Sequence, residues 1–269
     1  MKKILVTGSD GFIGKKLVNY LDQSNLQFIR IGRNVKINSL KNLKFDICIH
    51  LAQRKKGFNI VDENLSSTLN LLNLSKKNNA KFIYISSYLY GFGCYQPAKE
   101  TSPLFTHNNY ALSKLICENL CNYYKRKFNL KTIILRPFNV YDESINQDNI
   151  FSDIIKSIKN KKKFVLYKPF ISRDYLHVID LVKAIYLTIF YPKSDIFNIA
   201  SSSSISTLSL LNMFQNNLGF NIDKKIVKYK NSFLIKKTLA DISHTKAKLK
   251  WTPKIKINQG VKSIILSNL

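Results

Sequence analysis

Thr7-Gly8-Ser9-Asp10-Gly11-Phe12-Ile13-Gly14 constrains this chain more than any other stretch. The apolar run Ile4-Leu5-Val6 leads into it, and Phe12, Ile13, Leu17, Val18 and Leu21 follow at helical spacing. A glycine-rich turn between a buried strand and a helix lets the backbone approach a pyrophosphate. The phosphate charge then meets free amides and the positive end of the helix. Gly8, Gly11 and Gly14 keep Cβ atoms out of that space, and Gly14 also allows close packing of helix on strand. Residues Gly8 through Gly14, with Ser9, Asp10, Phe12 and Ile13 between them, are therefore candidate cofactor contacts.

Strand and helix patterns continue to alternate. Phe28–Ile31, Asp46–Ala52, Lys81–Ile85 and Lys131–Leu135 read as strands, with helical spacing through Leu65, Leu69, Leu72 and Leu74 and across Tyr110–Phe128. Such alternation predicts an α/β fold, a doubly wound parallel sheet with helices on both faces. After Arg136-Pro137 it loosens. Asp153–Ile158, Leu181–Phe190 and Leu208–Phe214 look helical, and Phe164–Leu166 and Asp195–Ile199 extended. This predicts a larger α/β domain from residues 1–140 and 174–199, with a smaller discontinuous lobe from 141–173 and 200–269.

Three further places carry chemistry. The second strand ends in Gly32-Arg33-Asn34, where an Asp or Glu would ordinarily bind the adenosine ribose hydroxyls of NAD. With no acid there, Arg33 could pair with a 2′-phosphate, which favours NADP(H); the alternative is NAD(H), with Asn34 on the ribose. Tyr110-Ala111-Leu112-Ser113-Lys114 puts a phenol and an ammonium one helical turn apart on one face. A phenol near pKa 10 needs its anion stabilised to work at neutral pH, and Lys114 is placed to lower its pKa. Ser86-Ser87 ends the strand before that helix, where α/β sheets bind ligands.

In these motifs the chain resembles the extended short-chain dehydrogenase/reductase family, the nucleotide-sugar epimerase, dehydratase and reductase group. TGSDGFIG and YALSK are joined, in family order, by His50-Leu51-Ala52, DENLSSTLNLL, SSYLYG, LRPFNVYD, RDYLHVIDLVKA, FNIASSSSIS and LADISHTKAKLKWTP. The resemblance implies a seven-stranded Rossmann domain, hydride transfer at a sugar carbon and a nucleotide-diphosphate sugar as substrate. It implies Tyr110 as acid–base group with Lys114 as its partner. The hydroxyl is Ser87 by strand register or Ser86 counted back from Tyr90-Gly91. Leu51, Ala52, Gln53, Asn64, Ile85 and Pro137 become expected cofactor contacts beside Lys114, and Tyr88, Asn139 and Arg173 expected substrate contacts. A homodimer in the cytoplasm is also implied.

The departures bear on reaction type. Dehydratases of this group carry an Asp-Glu pair after the catalytic hydroxyl, whereas Tyr88-Leu89 stands here. Cys94 and His107 do not match the Cys and His of the combined epimerase/reductase branch. No arginine follows Arg173, which leaves Lys236 or Lys237 to substitute on the diphosphate, and Asp142 stands where glycine usually follows Val-Tyr. The pattern favours reduction of an NDP-4-keto-(6-deoxy)hexose, with a 4-epimerase holding NAD as the alternative. A nucleic-acid binder and a non-catalytic cofactor sensor are distant alternatives. Lys and Arg number 43 against 16 Asp and Glu, a net charge of +27, yet only six of the 43 are arginine. Scattered lysines read as solvated surface rather than as a specific nucleic-acid site. Cys48, Cys94, Cys117 and Cys121 form no CxxC pair and read as reduced thiols; neither a metal site nor a membrane span is expected.

Overall fold

The computed structural model describes residues 2–32, 40, 42–90, 96–106, 108–145, 148–167, 169–227 and 235–269. Six strands form the main sheet: β1 (Ile4–Thr7), β2 (Phe28–Ile31), β3 (Ile47–His50), β4 (Lys81–Ile85), β5 (Thr132–Pro137) and β10 (Asp195–Ile199). Their spatial order is β10-β5-β4-β3-β1-β2, and every pairing is parallel. The resemblance implies a seventh strand; six are present among the described residues, and 33–39 and 41, between β2 and β3, lie outside them.

Alternation along each strand divides the core. Ile4, Val6, Ile47, Ile49, Ile83 and Ile85 face one side, against Leu17, Val18 and Leu21 of α1 (Phe12–Gln23) and Leu181, Val182 and Ile185 of α5 (Val178–Phe190). Leu5, Cys48, Phe82, Tyr84 and Ile134 face the other. They meet Leu71 and Leu72 of α2 (Ile60–Lys77) and Cys117, Cys121 and Tyr124 of α3 (Asn109–Phe128). Both sheet faces are covered, so strands with little polar character are the stable choice. Among the described residues no helix is long and apolar enough to cross a membrane.

The remaining elements are short. They are β6 (Val140–Tyr141), α4 (Ile150–Lys159), β7 (Phe164–Leu166), β8 (Ser172–Asp174), β9 (Leu176–His177), β11 (Ser204–Ser206), α6 (Thr207–Leu218), β12 (Lys224–Ile226), α7 (Ser243–Leu249) and α8 (Ile257–Asn268). A separate cluster holds the small lobe: Tyr141, Phe151, Ile154 and Ile155 pack with Leu210, Leu211, Phe214, Val261 and Ile264. Part of the segment expected in the small lobe packs elsewhere. Ala240, Ile242, Leu249 and Trp251 pack into the sheet core rather than the lobe core. Their burial is reinforced by Trp251 Nε1, which donates to the Asp180 carbonyl at 3.1 Å.

Because all six strands run the same way, their C-terminal ends share one edge. The order reverses between β1 and β3, and a crevice at such a point is where open α/β sheets take ligands.

Candidate active site

The glycine turn lies at that edge. Gly8 has φ +73°, a left-handed backbone that suits glycine, and a Cβ there would come within 2.7 Å of the Ala52 nitrogen. A Cβ on Gly14 would come within 2.0 Å of the Gly8 carbonyl oxygen. Gly11 begins α1 with no side-chain cap, and the first turn carries no acidic residue. The amides at this helix start are thus left to a ligand, and the cradle fits the pyrophosphate of a dinucleotide.

Beside the turn, Thr7 Oγ1 lies 2.8 Å from His50 Nδ1, and His50 Nε2 lies 3.1 Å from Thr68 Oγ1 and 3.0 Å from Gln53 Nε2. Burial pushes the His50 pKa down to about 3, with the Lys114 charge adding to the shift, so the ring is neutral. This chain of contacts fixes Leu51-Ala52-Gln53 against the turn. Two of the expected cofactor contacts have protein partners. The Asn64 amide, 1% exposed, donates to the Arg54 carbonyl and Ser113 Oγ and accepts from the Arg54 amide. The Gln53 amide donates to Thr68 and accepts from the Tyr84 hydroxyl. Arg33 and Asn34 lie outside the described residues, as do Gly91, Cys94 and His107.

Tyr110, Lys114 and Ser87 come together. The Ser87 hydroxyl lies close enough to the Tyr110 phenol to lower its pKa. Lys114 is 3% exposed; its Nζ donates to the Ile85 carbonyl at 2.6 Å and lies 5.6 Å from the Tyr110 ring centroid. The Ser86 hydroxyl is buried with no hydrogen-bond partner among the described residues. The expectation that Lys114 draws the Tyr110 pKa toward neutrality is corrected. Burial pushes Tyr110 up to about 12, against the lowering effect of the Ser87 hydroxyl. Lys114 is itself pushed down to about 7 by burial, and its ammonium points at a backbone carbonyl.

The expected substrate contacts follow β4 (Tyr88) and β5 (Asn139) and lie on β8 (Arg173). The half-buried ring of Tyr88 packs 5.4 Å from Phe138, centroid to centroid. Asn139 Nδ2 donates to the Asp174 carbonyl and Thr238 Oγ1. Arg173 Nη1 donates to the carbonyls of Ser172 and Ile235, both at 2.9 Å. Ser172 also pairs with Lys237, which brings the Lys236-Lys237 backbone alongside β8. Asp174, which motif reading passed over, accepts from Ser201 and Ala240 and is fully buried; burial pushes its pKa up to about 6. Asp142 also finds an account: Oδ1 accepts from the Ser144 amide at 2.8 Å, and Oδ2 lies 3.8 Å from Lys16 of α1. A groove of about 500 Å³ lies on the small lobe, lined in part by Lys156, Phe164, Leu166, Tyr167 and Thr207. None of Tyr110, Lys114 or Ser87 lines it.

A model of the NAD dependent epimerase/dehydratase family matches residues 4–200. The chain is 27% identical to a putative UDP-glucose 4-epimerase of Methanocaldococcus jannaschii, covering 97% of each. It is 26% identical to the dTDP-4-dehydro-6-deoxyglucose reductase of Escherichia coli, covering 98% of this chain and 96% of the relative. Its fold matches the crystal structure of a UDP-glucose 4-epimerase with UDP-glucose from Thermotoga maritima, with TM-score 0.90, 21% identity and 98% of each chain covered.

Proposed function

The chain belongs to the NAD dependent epimerase/dehydratase family, and from that premise we propose that it is an NAD(P)-dependent nucleotide-sugar oxidoreductase whose net reaction is reduction of a 4-keto hexose. The observation that carries this reading is the buried Lys114, its Nζ 5.6 Å from the Tyr110 ring centroid, with Ser87 beside the phenol. A dinucleotide whose pyrophosphate the glycine cradle held would supply the hydride at sugar C4. As negative charge grows on the C4 oxygen, Tyr110, protonated at neutral pH, donates its proton there. Ser87 hydrogen-bonds the same oxygen. Lys114 stabilises the phenolate left behind.

Arg173, oriented by two backbone carbonyls, would take the diphosphate, with Lys236 or Lys237 on the adjacent stretch as the second cation. Asn139 and Tyr88 would border the sugar. Elimination of water is not supported, because Tyr88-Leu89 stands where a dehydratase carries its acids and Leu89 is buried. A second reading, a 4-epimerase that retains NAD, is supported by the Asp10 carboxylate lying against Gly32 at the end of β2.

The test is twofold: identify the dinucleotide released on denaturing the purified protein, and follow NADPH and NADH oxidation with NDP-4-keto sugars. Stoichiometric oxidation of reduced cofactor supports the reductase. Bound NAD with interconversion of C4 epimers and no net cofactor consumption replaces it with the epimerase. Neither activity on any nucleotide sugar sinks both.

A further inference from the structure

β2 ends without the acid that ordinarily reads the adenosine ribose, and Gly32 follows its last residue. A carboxylate reaches that place from another element. A Cβ built on Gly32 would sit 2.0 Å from Oδ2 of Asp10 and 2.8 Å from its Cγ. Gly32 does not have the left-handed backbone that Gly8 has, so what glycine provides at position 32 is room for the Asp10 side chain. The turn that carries Asp10 is fastened to the strand end: the Gly8 and Ser9 amides both donate to the Ile31 carbonyl, at 2.8 and 3.3 Å. Ser9 Oγ then donates to Asp10 Oδ1 at 3.2 Å. Asp10 itself remains exposed.

We propose that Asp10 is the ribose-reading carboxylate of this chain and that it selects NAD(H) against NADP(H). The proposal rests on the reading of the crevice as a dinucleotide site. Two ribose hydroxyls can both donate to a carboxylate, whereas a 2′-phosphate removes a donor and sets a second anion against it. The selection runs opposite to the NADP(H) preference expected from Gly32-Arg33-Asn34. That expectation counts only side chains that follow β2 in sequence, and Asp10 arrives from β1's turn.

The test is equilibrium binding of NADH and NADPH to the purified protein, read by nicotinamide fluorescence. The unmodified protein is expected to bind NADH at least about tenfold more tightly than NADPH, the scale of one charge-assisted contact. Asp10→Asn keeps the shape and removes the charge; it should tighten NADPH by about tenfold and shift NADH much less. Asp10→Ala should weaken NADH by about tenfold or more. Asp10→Ala/Gly32→Asp returns a carboxylate to the same place and should restore the NADH preference, which a merely structural role for Asp10 would not allow. Tighter binding of NADPH than NADH by the unmodified protein, or equal shifts of both dinucleotides in Asp10→Asn, overturns the proposal and leaves the dinucleotide reading standing. Binding of neither dinucleotide overturns both.

Discussion

Burial acts on Tyr110 and Lys114 in opposite senses for their protons. It holds the phenol protonated, with a pKa of about 12, and draws the ammonium toward its neutral form, at about 7. Both shifts favour a site that waits with its transferable proton on tyrosine. Tyr110→Phe keeps the ring and removes only that proton. It should lower kcat by about 10²–10⁴ with dinucleotide affinity nearly unchanged, measured by steady-state turnover and fluorescence binding. Near-normal turnover in this variant would sink the acid–base assignment. Lys114→Ala should lower turnover and dinucleotide affinity together, because the ammonium lies beneath the phenol and against the end of β4. The Tyr-Lys spacing was legible in the sequence because a helix puts residues four apart on one face. The direction of the Tyr110 shift was not, since it depends on how completely α3 is covered.

At the scale of elements, two polar networks hold the site's supports together. One joins β1, β3 and α2 through Thr7, His50 and Thr68. His50 has a folded pKa of about 3 against an ordinary 6.5, so the unfolded chain binds a proton that the folded one refuses between those values. Its contribution is therefore present above about pH 6.5 and is lost as pH falls toward 3, by roughly 1.4 kcal/mol per unit at full separation. Asp174, raised to about 6, acts in the opposite sense over part of that range. The difference between two proteins isolates the histidine: His50→Gln should lose less melting temperature than the unmodified protein between pH 7 and about 4.5. Equal losses would contradict the assignment. The second network pins α3 to β5. Arg136 donates to Glu118 from Nε at 3.0 Å and from Nη2 at 2.6 Å, and Nη1 donates to the Tyr90 hydroxyl at 2.8 Å. Both partners of the ion pair are buried, so Arg136→Met strands a carboxylate and should cost about 3–5 kcal/mol in chemical denaturation. Arg136→Met/Glu118→Leu should recover much of that loss. The strands, their order of appearance and the glycine turn could be read from periodicity and punctuation. Asp10 against Gly32, His50 against Thr68, and Ala240–Trp251 against the sheet could not, because each joins residues far apart in the chain or on different elements. Asn64 shows the converse: its motif was visible, but only packing reveals that its amide pairs with Arg54 and Ser113.

At the scale of the whole molecule, the net charge of +27 is the property most open to misreading. Among the described lysines, only Lys81 and Lys114 are buried, and each has an internal partner. Lys81 Nζ donates to the carbonyls of Thr188, Ile189 and Tyr191, closing the C-terminal end of α5, and Lys114 holds Ile85. Neither is available to a polyanion. Three of the six arginines, better suited to bidentate phosphate contacts, are engaged within the protein: Arg136 is locked to Glu118, while Arg30 and Arg54 pair with Asp22 and Glu63. The exposed charge is mostly scattered lysine, whose attraction for nucleic acid is counterion release with little geometry behind it. Binding to duplex DNA, followed by fluorescence anisotropy, should be measurable at low salt, indifferent to sequence, and lost by about 0.15 M monovalent salt. The same titration should leave dinucleotide binding far less affected, because that affinity draws on the cradle between Gly8 and Gly14 as well as on charge. Sub-micromolar DNA binding that survives physiological salt would mean that the lysines are organised into a site, and the charge would have to be explained as function.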